Sequence, residues 1–166
     1  FGKKIVEKFW EIKLIKLPQD IFKLNYDKIK NLDGWGKLSV SNLKYSIDTK
    51  KKIPLDKFIY SLGIRHIGLE NAKLLAKHLK NFDNFFQLSI GNDMSELVNI
   101  DGIGETQIHS IKNFFTNKTN IEILSELKKV LTITNVITDN QSGILRNKTF
   151  MLTGKLTGMS RAEAKS

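Results

Sequence analysis

Two glycines one residue apart stand in the segment Ile100-Asp101-Gly102-Ile103-Gly104, between two segments patterned with apolar residues. Glycine adopts positive φ angles readily and leaves the backbone bare, so another molecule can approach the main chain closely. The free N–H groups at the start of a following helix point outward with the positive end of the helix dipole. These residue types at this spacing therefore predict an anion site, with phosphate as the ligand.

The segment recurs along the chain. Leu32-Asp33-Gly34-Trp35-Gly36 matches it position for position, and Ile64-Arg65-His66-Ile67-Gly68 carries His66 in place of the first glycine. The opening Phe1-Gly2 corresponds to the end of a fourth copy. The last glycines of the copies lie 34, 32 and 36 residues apart, at Gly2, Gly36, Gly68 and Gly104. Such a period predicts a repeated structural unit.

Apolar residues follow each last glycine on one helical face, at offsets of four, seven and eleven residues. They are Val40, Leu43 and Ile47, then Ala72, Leu75 and Leu79, then Ile108, Ile111 and Phe115, whereas the first copy keeps Val6 and Phe9 but has Lys13. The predicted unit is helix, tight hairpin, helix. We predict a mainly α protein with helices near 2–14, 19–24, 26–32, 36–48, 55–62, 69–80, 82–88, 94–99, 105–116 and 120–130, the last opened by a capping box at 119–122.

The charge is unevenly distributed. Residues 1–80 hold 18 of the 27 Lys and Arg residues but 8 of the 17 Asp and Glu residues, so the net charge of +10 lies entirely in the first half. This asymmetry favours a polyanionic partner, with nucleic acid ahead of an anionic membrane surface. The amino-acid bias of an AT-rich genome is the alternative source of the many lysines.

Composition excludes several other classes of protein. With no cysteine, the chain has neither a disulfide framework nor a thiolate zinc site, which is compatible with a reducing cytoplasm. No apolar run approaches the roughly 20 residues of a membrane-spanning helix, so we expect no membrane association. His66, His78 and His109 lack metal-ligand spacing. The phenylalanines Phe82, Phe85, Phe86, Phe114 and Phe115 are predicted core residues, and Trp35 is predicted to pack at the hairpin tip.

The repeated unit resembles the helix-hairpin-helix motif, and four copies in this order resemble the DNA-binding domain of bacterial NAD-dependent DNA ligases. The stretch FIYSLGIRHIGLENAKLLAKHL at 58–79 is similar to the third-hairpin segment of that family. The tail, with KTFMLTG at 148–154 and MSRAEAK at 159–165, resembles the first strand, turn and first helix of a BRCT domain. The chain opens inside the first hairpin and stops within that BRCT helix, as a C-terminal fragment of a ligase would.

The resemblance implies an α-helical tandem of four hairpins in two pseudo-twofold pairs over residues 1–134. A polar linker at 135–147 and an incomplete α/β BRCT segment at 148–166 would follow. It implies sequence-independent binding of nicked double-stranded DNA through backbone phosphates, in replication and repair, by a monomer in the bacterial cytoplasm at the nucleoid. The implied contacts are Gly34, Gly36, Lys37, Gly63, Arg65, Gly68, Gly102, Gly104 and Thr106, with Gly2, Lys3 and Lys4 in the incomplete hairpin.

The ligation chemistry of the family is not carried by these residues. Its adenylation lysine stands in a Lys-x-Asp-Gly motif, and Lys30-Asn31-Leu32-Asp33-Gly34 has the lysine one residue too far from the aspartate. We therefore expect no catalytic residue and no cofactor in this chain, while the parent enzyme would use NAD, magnesium and zinc. Two other hypotheses remain: a hairpin module that docks protein, and the DNA-binding part of a nuclease or junction-binding protein.

Overall fold

The computed structural model describes residues 2–91 and 94–136, and this part of the chain is predominantly helical. The nine α-helices found there are α1 (Lys3–Glu11), α2 (Tyr26–Lys30), α3 (Lys37–Asp48), α4 (Leu55–Ser61), α5 (Leu69–Leu79), α6 (Phe82–Gly91), α7 (Ser95–Val98), α8 (Glu105–Thr116) and α9 (Lys118–Val130). A 3-10 helix spans Pro18–Lys23, and two short strands are β1 (Lys52–Pro54) and β2 (Thr132–Thr134).

Two hydrophobic cores organise these helices. The smaller core lies among α1, the 3-10 helix, α2 and α3, with Phe9 and Ile29 fully buried. The larger core lies among α4 to α9, with Phe58, Phe85 and Leu124 buried at its centre. The apolar residues predicted from the helical spacing supply both cores, because each helix turns one stripe of its surface away from water.

The 3-10 helix joins the two cores. Phe22 packs against both of them. The neighbouring Lys23 Nζ donates to Glu126 Oε2 of α9 at 2.7 Å. The same carboxylate accepts a hydrogen bond from Lys129. A shared aromatic side chain and a charged contact therefore fix the position of the first half of the chain on the second.

The two strands form a small parallel sheet that the sequence analysis did not predict. Ile53 pairs with Ile133, and the Thr132 N–H donates to the Lys51 carbonyl at 2.8 Å. β1 leads directly into α4, for which Pro54 serves as the N-cap residue, and β2 follows α9. The sheet thus ties together the beginning and the end of the larger core.

Most predicted helices are confirmed, with differences at their ends. The first helix ends at Glu11 rather than at 14, because Lys13 adopts a left-handed conformation with φ of 58°. The predicted helix 19–24 is a 3-10 helix. The capping box predicted at 119–122 is wrong: α9 begins at Lys118, and the side chain of Asn117 accepts a hydrogen bond from the Thr119 N–H at 3.0 Å.

The predicted core phenylalanines are confirmed. Phe82, Phe85 and Phe115 are buried, and Phe86 and Phe114 pack against the same core from its margin. The rings of Phe85 and Phe115 lie 5.3 Å apart. These side chains hold α6 against α8 and are not free to stack on bases.

The predicted linker at 135–147 and the predicted BRCT segment at 148–166 lie outside the described residues, apart from Asn135 and Val136. Val136 packs against the larger core, and its N–H donates to the Lys80 carbonyl at 3.1 Å. Throughout the described ranges, no helix has the length and apolar character needed to cross a membrane.

The Glu126 contacts predict an acid-dependent part of the stability. Lys129 and then Lys23 lower the pKa of Glu126 from 4.5 to about 2. Because the folded-state pKa is depressed, this contribution is complete above 4.5 and is lost as the pH falls towards 2. We expect Glu126→Gln to lower the urea midpoint at pH 7 and to have little effect at pH 2. The control is Glu122→Gln, one turn away on α9. Equal losses from Glu126→Gln at pH 7 and at pH 2 would contradict this assignment.

Candidate nucleic-acid interface

Three turns in the described chain share one backbone hydrogen bond. The N–H of the residue before the last glycine donates to the carbonyl three positions earlier. The three bonds are Trp35 to Leu32 at 3.1 Å, Ile67 to Ile64 at 3.0 Å and Ile103 to Ile100 at 3.0 Å. The turns connect α2 to α3, α4 to α5 and α7 to α8, and they are called turns 2, 3 and 4 below. The sequence repeat is therefore a repeat of backbone geometry.

A left-handed residue stands at the same position of each turn. Gly34 has φ of 79°, Gly102 has φ of 88°, and His66, the one departure from glycine in the repeat, has φ of 63°. Histidine is among the residues that tolerate this region better than most. The Asn71 side chain donates to the His66 carbonyl at 3.0 Å and supports the turn. The sequence reasoning identified His66 as a turn residue but not its conformation.

The last glycine of each copy caps a helix in extended backbone. Gly2, Gly36, Gly68 and Gly104 have φ between −101° and −79° and ψ within 10° of 180°, which any residue can adopt. The carbonyl of each accepts the first helical hydrogen bond, from Val6, Val40, Ala72 and Ile108. A Cβ built on Gly2, Gly36 or Gly68 would meet no atom within 4 Å. Neither conformation nor packing within the described residues requires glycine at these three positions.

What these glycines leave open is the approach to the helix N-terminus. Their helices receive no hydrogen bond from an N-cap side chain. By contrast, the side chains of Asn25 and Asn117 cap α2 and α9. The N-terminus of α8 is partly occupied by a side chain, because the Gly104 N–H donates to the Gln107 side chain at 3.2 Å. Bare N-terminal amides suit an anionic ligand from outside the protein.

All twelve residues predicted to contact DNA are exposed. Eleven of them lie in the turns or in the first turn of α1, α3 or α8. Gly63 lies elsewhere, just after α4, where its φ of 65° and an N–H donated to the Tyr60 carbonyl at 3.2 Å make it a helix-ending residue. Whether these residues bind DNA stays a prediction.

The four glycine-capped helices differ in charge at their N-termini. α1 begins with Lys3 and Lys4 and α3 with Lys37, whereas the first turns of α5 and α8 carry Glu70 and Glu105. Glu70 pairs with Lys73 at 2.7 Å. Within the described chain, Lys37 and Arg65 form no ion pair. The sequence analysis weighed the basic residues of this surface and missed the two glutamates, although both stand within two residues of a repeat glycine.

Turns 2 and 4 contact a helix of a neighbouring unit, and turn 3 lines a groove with one. The Trp35 ring lies 5.4 Å from that of Phe9 in α1, and Lys8 Nζ donates to the Asp33 carbonyl at 3.4 Å, so the predicted packing role of Trp35 is confirmed. Gly102 of turn 4 lies against Leu74 of α5. Arg65 and His66 of turn 3 line a groove together with α8. Sequence spacing could not reveal these contacts, since they depend on how the units fold onto one another.

No metal-binding cluster of His, Asp and Glu side chains is found within residues 2–91 and 94–136. His78 lies on the exposed surface of α5, away from the turns, whereas His66 and His109 both line the groove beside turn 3.

A family model described as the helix-hairpin-helix motif matches residues 57–124, which include turns 3 and 4. Residues 57–124 are thus similar to this motif, as the sequence resemblance predicted.

The chain is also similar to curated DNA ligases along its whole length. The chain is 68% identical over 166 residues, all of its length, to a DNA ligase of Pelagibacter ubique strain HTCC1062, of which it covers 25%. It is 42% identical to a DNA ligase of the Wolbachia pipientis of Culex pipiens over 99% of the chain and 26% of the relative. It is 41% identical to a DNA ligase of Ehrlichia canis strain Jake, over 100% of the chain and 26% of that relative. The chain spans about a quarter of the length of these relatives, and the resemblance to DNA ligases is confirmed.

The left-handed turn residues predict a stability difference between two glycines of the interface. A Cβ at Gly102 would lie 2.8 Å from Leu74 Cδ1 in a backbone of φ 88°, whereas Gly36 has ordinary φ and open surroundings. We expect Gly102→Ala to lower the free energy of unfolding by about 1–3 kcal/mol. Gly36→Ala should lower it by at most about 1 kcal/mol, because alanine is a poorer N-cap residue than glycine but meets no strain there. Urea denaturation followed by circular dichroism measures both. Equal effects would mean that the turn relaxes without strain.

Proposed function

We propose that the chain is a sequence-independent duplex-DNA-binding module of an NAD-dependent DNA ligase, which holds nicked DNA during sealing in replication and repair. The observation that carries this proposal is the glycine-capped helix N-terminus, which recurs with exposed amides. At Gly2, Gly36 and Gly68, no described atom lies within 4 Å of the place that a Cβ would take. Backbone amides and lysines recognise phosphates, which occur at every nucleotide, so such contacts carry no base sequence information.

The four hairpins would act as two pairs, each related by a pseudo-twofold axis. The second pair supports this arrangement, because turn 3 lines a groove with α8 and Gly102 of turn 4 lies against Leu74 of α5. In the first pair, turn 2 packs on α1 through Trp35 and Phe9. Such pairing would direct both members of a pair towards the two strands of one duplex minor groove.

The proposed contacts belong to two groups. The backbone group consists of Gly36, Gly68 and Thr106, of Gly2 in the incomplete hairpin, and of Gly34 and Gly102 at the turns. It also includes Gly104, whose N–H would first have to leave the Gln107 side chain, and Gly63 at the end of α4. The charged group supplies Lys3, Lys4, Lys37 and Arg65, which attract the duplex and displace its counterions. Because Lys37 and Arg65 are exposed and form no ion pair in the described ranges, their charges are available to phosphate.

The ligation chemistry is proposed to lie outside this chain. The described residues offer no cluster that fits a magnesium or zinc ion, and the sequence has no cysteine for a thiolate zinc site. We propose that the parent enzyme takes NAD, magnesium and zinc on other segments, and that this module is monomeric and works in the bacterial cytoplasm at the nucleoid. Its own residues would bind and orient the duplex.

Protein docking is the second candidate function, and exposed apolar side chains favour it. Trp10 and Tyr45 are 64% and 72% exposed on α1 and α3, and Leu38 is 75% exposed beside Lys37. A partner protein that buried any of these side chains would be indifferent to the charge of Arg65. DNA binding and its salt dependence separate the two candidates.

Lys37→Ala tests the proposed DNA contact. Lys37 is the first residue of α3 behind a bare glycine cap, and its loss should weaken binding of the 166-residue chain to any duplex about threefold to tenfold and reduce the salt slope by about 1. Fluorescence anisotropy between about 50 and 200 mM salt, on nicked, intact and unrelated duplexes, measures both quantities.

Lys118→Ala is the matched control. Lys118 is likewise exposed at the first position of a helix, but the side chain of Asn117 caps that helix. Lys118→Ala should leave both the affinity for DNA and its salt slope unchanged. Equal effects from the two variants would mean that DNA is attracted by the net charge alone and not by the start of α3. If the unsubstituted chain does not bind DNA at the lowest salt, the DNA-binding proposal itself is contradicted.

A further inference from the structure

A polar pocket of about 380 Å³ lies at the far end of α5 from turn 3, and α5, α6 and α7 all contribute to its lining. His78 of α5 lines it and stands ten helical steps beyond Gly68, which is about 15 Å along the helix axis. None of the twelve proposed DNA contacts is among its described lining residues. A function for this pocket is therefore separate from the proposed grip on DNA.

The charge of the pocket is opposite in sign to that of the chain. Glu96, in the first turn of α7, supplies a carboxylate, and neither lysine nor arginine contributes to the described lining. The whole chain, by contrast, carries a net charge of +10. Glu96 is exposed and forms no ion pair within residues 2–91 and 94–136. Its negative charge is therefore available to a cation from outside.

Two amide side chains of α6 add neutral hydrogen-bond acceptors to this carboxylate. The Asn84 Nδ2 donates to the Leu79 carbonyl at 2.7 Å, and this hydrogen bond holds the amide in one orientation. The Asn84 Oδ1 stays free to accept, since it forms no hydrogen bond in the described part of the chain. Gln87 lies one turn further along α6 and lines the same pocket. A single ligand could thus donate to a carboxylate and to two amide oxygens.

Apolar side chains complete the lining. Leu79 and Leu88 belong to the larger core, where they are 3% and 6% exposed, and both also contact the pocket. A ligand that suits this lining therefore carries several hydrogen-bond donors, a positive charge and some hydrocarbon.

A guanidinium group meets these requirements better than other cations. It is planar, has five N–H donors and no acceptor, and is more weakly hydrated than an ammonium group. An ammonium group is a compact and strongly hydrated charge, which gains less from an apolar surface. A metal ion is less suitable, because His78 and Glu96 are the only ligands of the kind that zinc prefers in the described lining.

We propose that this pocket binds an alkylguanidinium group, with Glu96 as the opposite charge and with Asn84 and Gln87 as neutral acceptors. The same chemistry is offered by an arginine side chain of a partner protein and by a small free guanidine. The inference goes beyond the proposed function and does not depend on it.

The test follows the backbone amide resonances of the 166-residue chain by NMR during titration with acetyl-arginine amide at pH 8. Saturable shifts are expected at Asn84, Gln87 and Glu96, with a Kd on the order of 1–10 mM for a small ligand in an open pocket. Acetyl-citrulline amide has the same shape without the charge and should produce no saturable shifts. Acetyl-lysine amide should bind at least about threefold more weakly, because it lacks the planar set of donors.

These ligands also define the results that would overturn the inference. Absence of saturable shifts with acetyl-arginine amide, or equal binding of the citrulline compound, would refute a cation site. Equal or tighter binding of acetyl-lysine amide would refute the assignment to guanidinium.

Variants of the lining supply readouts of opposite sign. Glu96→Gln should weaken the binding of acetyl-arginine amide at least about fivefold, because hydrogen bonds between charged groups are the strong ones. Gln87→Glu adds a second carboxylate and should tighten binding about threefold. Glu122→Gln, an exposed control on α9 outside the pocket, should change nothing. Circular dichroism verifies that each variant is folded, and an unchanged affinity in both pocket variants would overturn the inference.

Two further comparisons separate the sources of the ligand and the two proposals. n-Butylguanidinium has the same head group without a peptide backbone. Tighter binding of acetyl-arginine amide would support a protein partner, and equal or tighter binding of n-butylguanidinium would support a small free guanidine. Glu96→Gln should bind duplex DNA like the unsubstituted chain. Loss of DNA binding by the unsubstituted chain would contradict the proposed function alone, whereas loss of the arginine-dependent shifts would overturn the pocket inference alone.

Discussion

The interface depends on one backbone constraint, a left-handed residue held between the two helices of each hairpin. At this residue the chain reverses direction within a few positions, and the hydrogen bond across the turn sets the start of the second helix. The direction of that helix then fixes where its free amides point. Turns 2, 3 and 4 repeat this geometry although one of them uses His66, so the backbone conformation is more constant than the residue that adopts it.

Local features of this fold were predictable from the sequence because they are set by local rules. The glycine spacing and the offsets of Val40, Ala72 and Ile108 predicted where α3, α5 and α8 begin, to within one residue. The end of the first helix was missed, since a left-handed lysine at position 13 carries no signal in its type. The strand pairing of Ile53 with Ile133 was missed for another reason: three-residue strands leave no recognisable periodicity.

The candidate site was predictable only in part, because residues next to the repeat glycines are placed by local rules whereas contacts between units are not. Residues adjacent to the repeat glycines could be named because the chain itself brings them to the helix N-terminus. The groove of Arg65 with His109 and the contact of Gly102 with Leu74 could not, since each joins two units whose relative position is decided by packing in the larger core. Glu105 at the start of α8 could not be placed opposite Arg65 until the structure showed that both line one groove.

The parallel pairing of β1 with β2 has a consequence for the order of folding. It joins segments that are separated by about eighty residues, so closing that loop is entropically unfavourable until the intervening helices have packed. The strands are only three residues long, and their few hydrogen bonds cannot compensate for that loss on their own. Loop closure therefore predicts that the two strands pair after the larger core has assembled.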